Sequence, residues 1–315
     1  MSDGDVVDEV RIGVIAGSGM AEALAGEGGE AHDVDTPFGK PSAPIVGTRW
    51  EGTEVFVLQR HGAGHRFNPS AVPYRANVFA LKALGVTHVL ASAAVGSLRE
   101  DVHPGELMIP DQLIDRTLNR PRSFYDDCAV HAEFAEPYCP VMRRWLLEAA
   151  DRQAERDGGG SGGSGGDARR VHRSGTMVVM EGPSFSTRAE SRMFRQWGGD
   201  VIGMTGLPEA RLAREAEMAY AAIAMPTDYD SWKPHEGPAD SLLEEIIGNL
   251  QVAVASNLSL VKEALRQVGR LRREPSPAHR ALEHGIWTRR DAIDPAEIER
   301  LRPLWGRHFD PPPAG

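Results

Sequence analysis

Two aspartates one residue apart follow an apolar run: residues 220–225 lead into Pro226-Thr227-Asp228-Tyr229-Asp230. On an extended backbone the carboxylates of Asp228 and Asp230 point to one side. There they can accept N–H bonds from a nitrogen-rich ring or hand it a proton. A metal is a poorer match, because no histidine stands at short ligand spacing. A second segment, Arg60-His61-Gly62, follows the apolar run 55–58, with His65 close behind. Arginine presents a fixed fork of donors that suits an oxyanion, and histidine can add another. Two small-residue segments complete the set, Ala16-Gly17-Ser18-Gly19 and Ser92-Ala93-Ala94-Val95-Gly96-Ser97. Glycine lets backbone N–H groups approach an anion, and Ser18 adds a hydroxyl. Taken singly, each segment has an ordinary alternative: a solvated turn, an exposed basic loop, a tight turn, a packing turn. The dinucleotide fingerprint GxGxxG is absent.

All four segments follow strand-like runs, where open α/β sheets collect their ligands. Such runs occupy 11–16, 55–58, 87–91, 107–109, 177–180, 201–202 and 220–225. Several are continuously apolar, as expected of strands covered on both faces. Helical signals lie between them. Residues 77–84 carry apolar positions at helical spacing, and 141–156 reads as a further helix. Thr187 with Glu190 forms a capping box for a helix through Trp197. Pro208 suits the first turn of a helix to about Glu217. Leu242, Leu243, Ile246, Ile247 and Leu250 form one apolar stripe. The alternation predicts an α/β fold. The Gly/Ser run 158–167 predicts a flexible surface loop within one domain spanning 1–267. A charged, proline-rich extension, 268–315, carries a helical stretch at 295–304 and docks on the body or on a neighbouring subunit.

The chain has 315 residues and a net charge of −10. An acidic surface argues against a nucleic-acid partner, whose binding rests on phosphate neutralisation. The two cysteines, Cys128 and Cys139, do not make a disulfide framework. The first ten residues are acidic where a secretion leader would be basic and then apolar. No run approaches 18 apolar residues, the length of a membrane span. These features predict a soluble protein of a reducing, cytoplasmic compartment, with no membrane partner.

The segments 12–19, 35–41, 60–62, 96–100, 111–117, 136–140, 180–190, 204–209 and 227–232 run in order along the chain. Together they resemble the S-methyl-5'-thioadenosine phosphorylases of the trimeric purine nucleoside phosphorylase family. The resemblance implies one α/β domain around a central twisted, mixed, partly barrel-like sheet flanked by helices, assembled as a homotrimer or hexamer. It implies a phosphate site on Ser18, Arg60, His61, the backbone at Ala94, and Thr205. It places the backbone N–H of Met204 against the ribose and Phe185 against the purine ring, with core packing as the alternative for Phe185. His65 joins the nucleoside residues, and His131 would reach the 5' end of the nucleoside in the adjacent subunit.

Relatives that act on 6-oxopurines carry a glutamate where Ser186 stands here. Asp228 and Asp230 instead suit the exocyclic amine of adenine, and a mismatched buried polar group costs about 1–3 kcal/mol. Gly203 and Ala93 depart from the usual asparagine and threonine. Leu242, Leu243 and Ile246 could wall the pocket for the 5' substituent. The expected reaction is phosphorolysis of methylthioadenosine, with Asp228 serving the leaving purine and Asp230 supporting it. Inorganic phosphate is a co-substrate, and no metal or organic cofactor is implied. A phosphorylase preferring adenosine, inosine or guanosine, and a nucleoside-binding protein without turnover, are the alternatives.

Overall fold

The computed structural model describes residues 9–20, 28–156, 170–234 and 239–309. The Gly/Ser run 158–167 lies outside them. The strands are β1 (Ile12–Ala16), β2 (Glu30–His32), β3 (Ile45–Trp50), β4 (Thr53–Gln59), β5 (His88–Ser97), β6 (Leu107–Met108), β7 (Gln112–Arg116), β8 (Val171–His172), β9 (Thr176–Met180), β10 (Val201–Gly203) and β11 (Ala219–Asp228). They form one mixed sheet in the order β2-β3-β4-β1-β5-β10-β9-β7. The sheet branches at β5, which pairs in parallel with β1 through residues 88–91 and with β11 through residues 88–96. The far end of β5 turns to β10, with Ser97 opposite Val201. The sheet is not closed, and its branch point lies where the small residues 92–97 run.

Those small residues are strand, not turn. Alanine, serine and glycine have weak strand propensity, but burial between neighbouring strands overrides it. The helices are α1 (Tyr74–Ala83), α2 (Pro140–Arg156), α3 (Arg188–Gln196), α4 (Gly206–Glu215), α5 (Ala239–Leu265), α6 (Gly269–Arg273), α7 (Pro295–Arg300) and α8 (Arg302–Trp305). The Thr187–Glu190 capping box opens α3 as its sequence requires. One large apolar cluster joins Ile15, Phe79, Tyr220 and Ala224 across the sheet. A second, on the other face, joins Ile12 and Ile223 to Trp145 of α2 and Leu260 of α5.

The C-terminal extension docks on the body of its own chain. Leu282, Ile293, Leu301, Leu304 and Trp305 enter the main cluster. Arg307 grips buried Glu217 with Nε and Nη2, at 2.6 and 2.7 Å.

Glu215, at the end of α4, is buried and accepts from the Phe124 N–H at 2.8 Å and the Ser123 hydroxyl at 3.1 Å. Burial pushes its carboxyl up to about 7 from an ordinary 4.5. A carboxyl raised by folding contributes stability fully present below its unfolded value and lost as pH rises through its folded value. Denaturant titrations should therefore show wild type weakening between pH 4.5 and 8 relative to Glu215→Gln, which keeps an acceptor for Phe124. Parallel profiles for the two proteins would count against this placement of the proton.

Candidate active site

A cavity of about 950 Å³ opens at the ends of β1, β4, β5, β10 and β11. Ser18, Arg60, His61, His65, Ala94, Phe185, Met204, Thr205, Asp228 and Asp230 all line it. The structure thus gathers residues from segments more than two hundred positions apart. Ser186 stands behind the wall, buried, with its hydroxyl donating to both oxygens of Asp230 at 2.8 and 2.7 Å. His131 lies outside the cavity of its own chain, exposed and packed edge-on against Trp287 at 4.6 Å between centroids. Phe185 is 83% exposed, so it is a rim residue and not a core one.

The basic end is built around Arg60, which leaves β4 and is 1% exposed. Three of the five donors of its fork are already engaged within the protein. Nε and Nη2 donate to the carboxylate of Glu209 at 2.8 and 2.9 Å, and Nη1 donates to the Ser92 carbonyl at 2.7 Å. Burial works against the charge, but Glu209 overcomes it and holds the guanidinium pKa above its ordinary value. The Tyr220 hydroxyl donates to Glu209 at 2.8 Å and closes the network. A guanidinium has five N–H donors, so two remain for an anion. Gly17 permits this packing: a Cβ there would lie 2.9 Å from Arg60 Nη1 and 2.5 Å from the Ser92 carbonyl oxygen.

His61 follows Arg60 and is 7% exposed. Its Nδ1 sits 2.8 Å from the Phe67 carbonyl oxygen, and its ring stacks on His65 at 4.1 Å. Burial, then the neighbouring Arg60 charge, push its pKa down to about 4. Thr205 precedes α4 and makes no side-chain capping bond, which leaves its hydroxyl to the cavity.

At the acidic end the chain does not stay extended. β11 is irregular between Pro226 and Asp228, where a residue lacking N–H is tolerated. Asp230 then turns to a positive φ of 45°. Its N–H donates to Asp228 Oδ1 at 2.7 Å, while the Thr227 hydroxyl donates to Oδ2 at 2.7 Å. The two carboxylates meet by a turn, not by strand alternation. Burial holds the Asp228 carboxyl above its ordinary value, and the Asp230 charge adds to this against the two hydrogen bonds. Gly96 makes room, since a Cβ there would stand 3.0 Å from Asp230 Cβ.

Several contributors had escaped the sequence reading. Arg120 donates to the carbonyls of Met204 at 2.6 Å, Leu207 at 2.7 Å and Glu181 at 2.5 Å, tying two cavity-forming segments together. Asn249 of α5 donates to the Thr227 carbonyl at 3.0 Å. Arg188, Lys233 and Glu245 also line the cavity. On α5 the wall is formed by Leu242, Ile246 and Leu250. Leu243 is not part of it and stands 61% exposed. Among the described residues no group of His, Cys, Asp and Glu is arranged to hold a metal.

A mixed sheet with a basic and an acidic end in one cavity is the setting for comparison with known proteins. Residues 11–266 match the phosphorylase superfamily, and the chain belongs to it. It is 45% identical to the S-methyl-5'-thioadenosine phosphorylase of Chloroflexus aurantiacus, over 95% of this chain and 98% of that protein. Among solved structures, a methylthioadenosine phosphorylase sourced from an Antarctic soil metagenomic library superposes with a TM-score of 0.81 at 40% identity, covering 94% and 98% of the two chains. The methylthioadenosine phosphorylase of Schistosoma mansoni in complex with adenine gives 0.74 at 33% identity, covering 94% and 99%.

Proposed function

We propose that the chain catalyses phosphorolysis of S-methyl-5'-thioadenosine to adenine and 5-methylthioribose-1-phosphate. The observation that carries this reading is the pairing, in one cavity, of the Arg60–His61–Thr205 end with Asp228 and Asp230. Arg60, Ser18, Ala94 and Thr205 would hold phosphate beneath the anomeric carbon, and preorganised donors of this kind stabilise developing charge. A phosphate oxygen attacks C1' as the bond to the purine breaks through an oxocarbenium-like state. The electron pair goes to the ring, which takes a proton at N7 from Asp228. Burial raises the pKa of that carboxyl, which favours the protonated form a general acid needs. Asp230, steadied by Ser186, accepts the N–H of the exocyclic amine. The apolar wall of Leu242, Ile246 and Leu250 suits a methylthio group better than a hydroxyl.

The assembly is a homotrimer in the cytoplasm, serving purine and methionine salvage. Supporting this are the exposed His131–Trp287 patch and the free thiols of Cys128 and Cys139. Among the described residues no helix is long and apolar enough to cross a membrane.

Purified protein should release adenine from methylthioadenosine only with phosphate, faster than from adenosine and far faster than hypoxanthine from inosine. Preference for inosine would overturn the roles of Ser186, Asp228 and Asp230. No base released under any condition would leave a binding protein.

A further inference from the structure

The orientation of His61 says which form of the nucleophile the cavity takes. Its Nδ1 lies 2.8 Å from the Phe67 carbonyl oxygen, and a carbonyl only accepts, so Nδ1 carries the ring proton. The Phe67 N–H donates back to the His61 carbonyl at 2.9 Å, and the ring is stacked on His65. The imidazole is therefore fixed in orientation. Burial and the adjacent Arg60 push its pKa down to about 4, so the ring is neutral at physiological pH. Nε2 then carries a lone pair, and His61 lines the cavity. The Arg60 charge beside it is already balanced by Glu209, both side chains being almost wholly buried. An anion entering this end meets the remaining N–H groups of a neutralised guanidinium, the hydroxyls of Ser18 and Thr205, and one acceptor. An oxyanion without a proton would set an oxygen lone pair against that nitrogen.

We propose that His61 reads the proton of the nucleophile: Nε2 accepts the P–OH of monohydrogen phosphate, and the subsite thereby selects phosphate and arsenate over sulfate. This rests on the phosphorolysis reading of the cavity. Phosphate and arsenate keep at least one proton around neutral pH, whereas sulfate keeps none. The reaction balances without moving that proton. Monohydrogen phosphate attacks C1', the purine leaves with the proton of Asp228, and the sugar phosphate departs as a monoanion still carrying its own. The Asp228 carboxylate then regains a proton from water. Sites that read a hydroxyl reject analogues lacking it more strongly than apolar pockets reject a missing methylene, because the buried partner is left unpaired.

The test compares KM for phosphate and arsenate with the inhibition constant of sulfate, in wild type and in His61→Ala and His61→Asn. In wild type sulfate should bind about 30-fold or more weakly than phosphate. In His61→Ala the gap should shrink to about threefold, phosphate weakening while sulfate does not. Nitrogen NMR of the labelled wild-type imidazole should show Nδ1 protonated and Nε2 unprotonated with phosphate bound, a readout that needs no variant. Sulfate matching phosphate in wild type, equal weakening of both anions in the variants, or a protonated Nε2 in the phosphate complex would each overturn the proposal. Adenine release indifferent to phosphate is a separate result that would overturn the phosphorolysis reading with it.

Discussion

Asp228→Asn is expected to lower kcat by about 10²–10⁴-fold, the usual worth of a positioned general acid, while KM for the nucleoside changes less than tenfold. The substitution nearly preserves shape. The amide oxygen can still accept from the Asp230 N–H, and its NH₂ can donate to the Thr227 hydroxyl, which now sits 2.7 Å from the carboxylate. What the amide cannot do is give up a proton to the departing purine. The pH profile separates this role from a structural one. Burial favours the protonated carboxyl, so wild-type turnover should fall as pH rises through the folded pKa of Asp228, and the variant should lack that limb. The effect of the substitution on stability has the opposite sign to its effect on turnover. A raised carboxyl pKa contributes stability at low pH that is lost as pH rises past it. Asp228→Asn is therefore expected to be at least as stable as wild type in neutral buffer. A kcat within tenfold of wild type, with the alkaline limb intact, would remove Asp228 from the chemistry.

The cavity was legible in the sequence mainly where a chemical residue follows a continuous apolar run. Arg60, Ser18 and Asp228 are of that kind, because a strand buried on both faces leaves its functional residues only at its end. The sequence ends its strand at residue 91, whereas β5 continues through the run 92–97. Its alanines, serines and glycine carry little strand signal, and only pairing of β5 with β11 and β10 makes them strand. β3 was missed for a related reason: Gly47, Thr48 and Arg49 interrupt it, as expected of a strand with one open side. The joint placement of Asp228 and Asp230 follows from their spacing, but the turn that achieves it does not, since an aspartate takes a positive φ more often than most residues and yet only in a small minority of cases. The least legible feature was Glu209. A glutamate in the first turn of a helix ordinarily faces water and favours the helix dipole. Nothing local reports that α4 is buried on nearly every side or that an arginine 149 positions away meets this carboxylate.

That pairing carries the other large expectation. Removing one partner of a fully buried ion pair leaves an uncompensated charge and costs about 3–5 kcal/mol. Glu209→Ala should accordingly lower Tm by roughly 10 °C. Tyr220→Phe, which deletes only the hydroxyl that supports Glu209, should cost about 1 kcal/mol. The loss in Glu209→Ala should also depend on the ligand. With Glu209 gone, bound phosphate becomes the nearest anion to Arg60, and a ligand stabilises the folded state by mass action. Saturating phosphate should therefore raise Tm by more in the variant than in wild type. Turnover should nevertheless fall tenfold or more at saturating phosphate, because the guanidinium is no longer held at the angle that aims the nucleophile. Thermal melts with and without phosphate, alongside initial rates, read all three effects. A Tm within a degree or two of wild type, or equal phosphate stabilisation in both proteins, would mean that Arg60 keeps its position through Ser92 and the packing around Gly17 alone. The carboxylate would then be a passenger in the core and not the part that makes a buried arginine usable by a dianionic substrate.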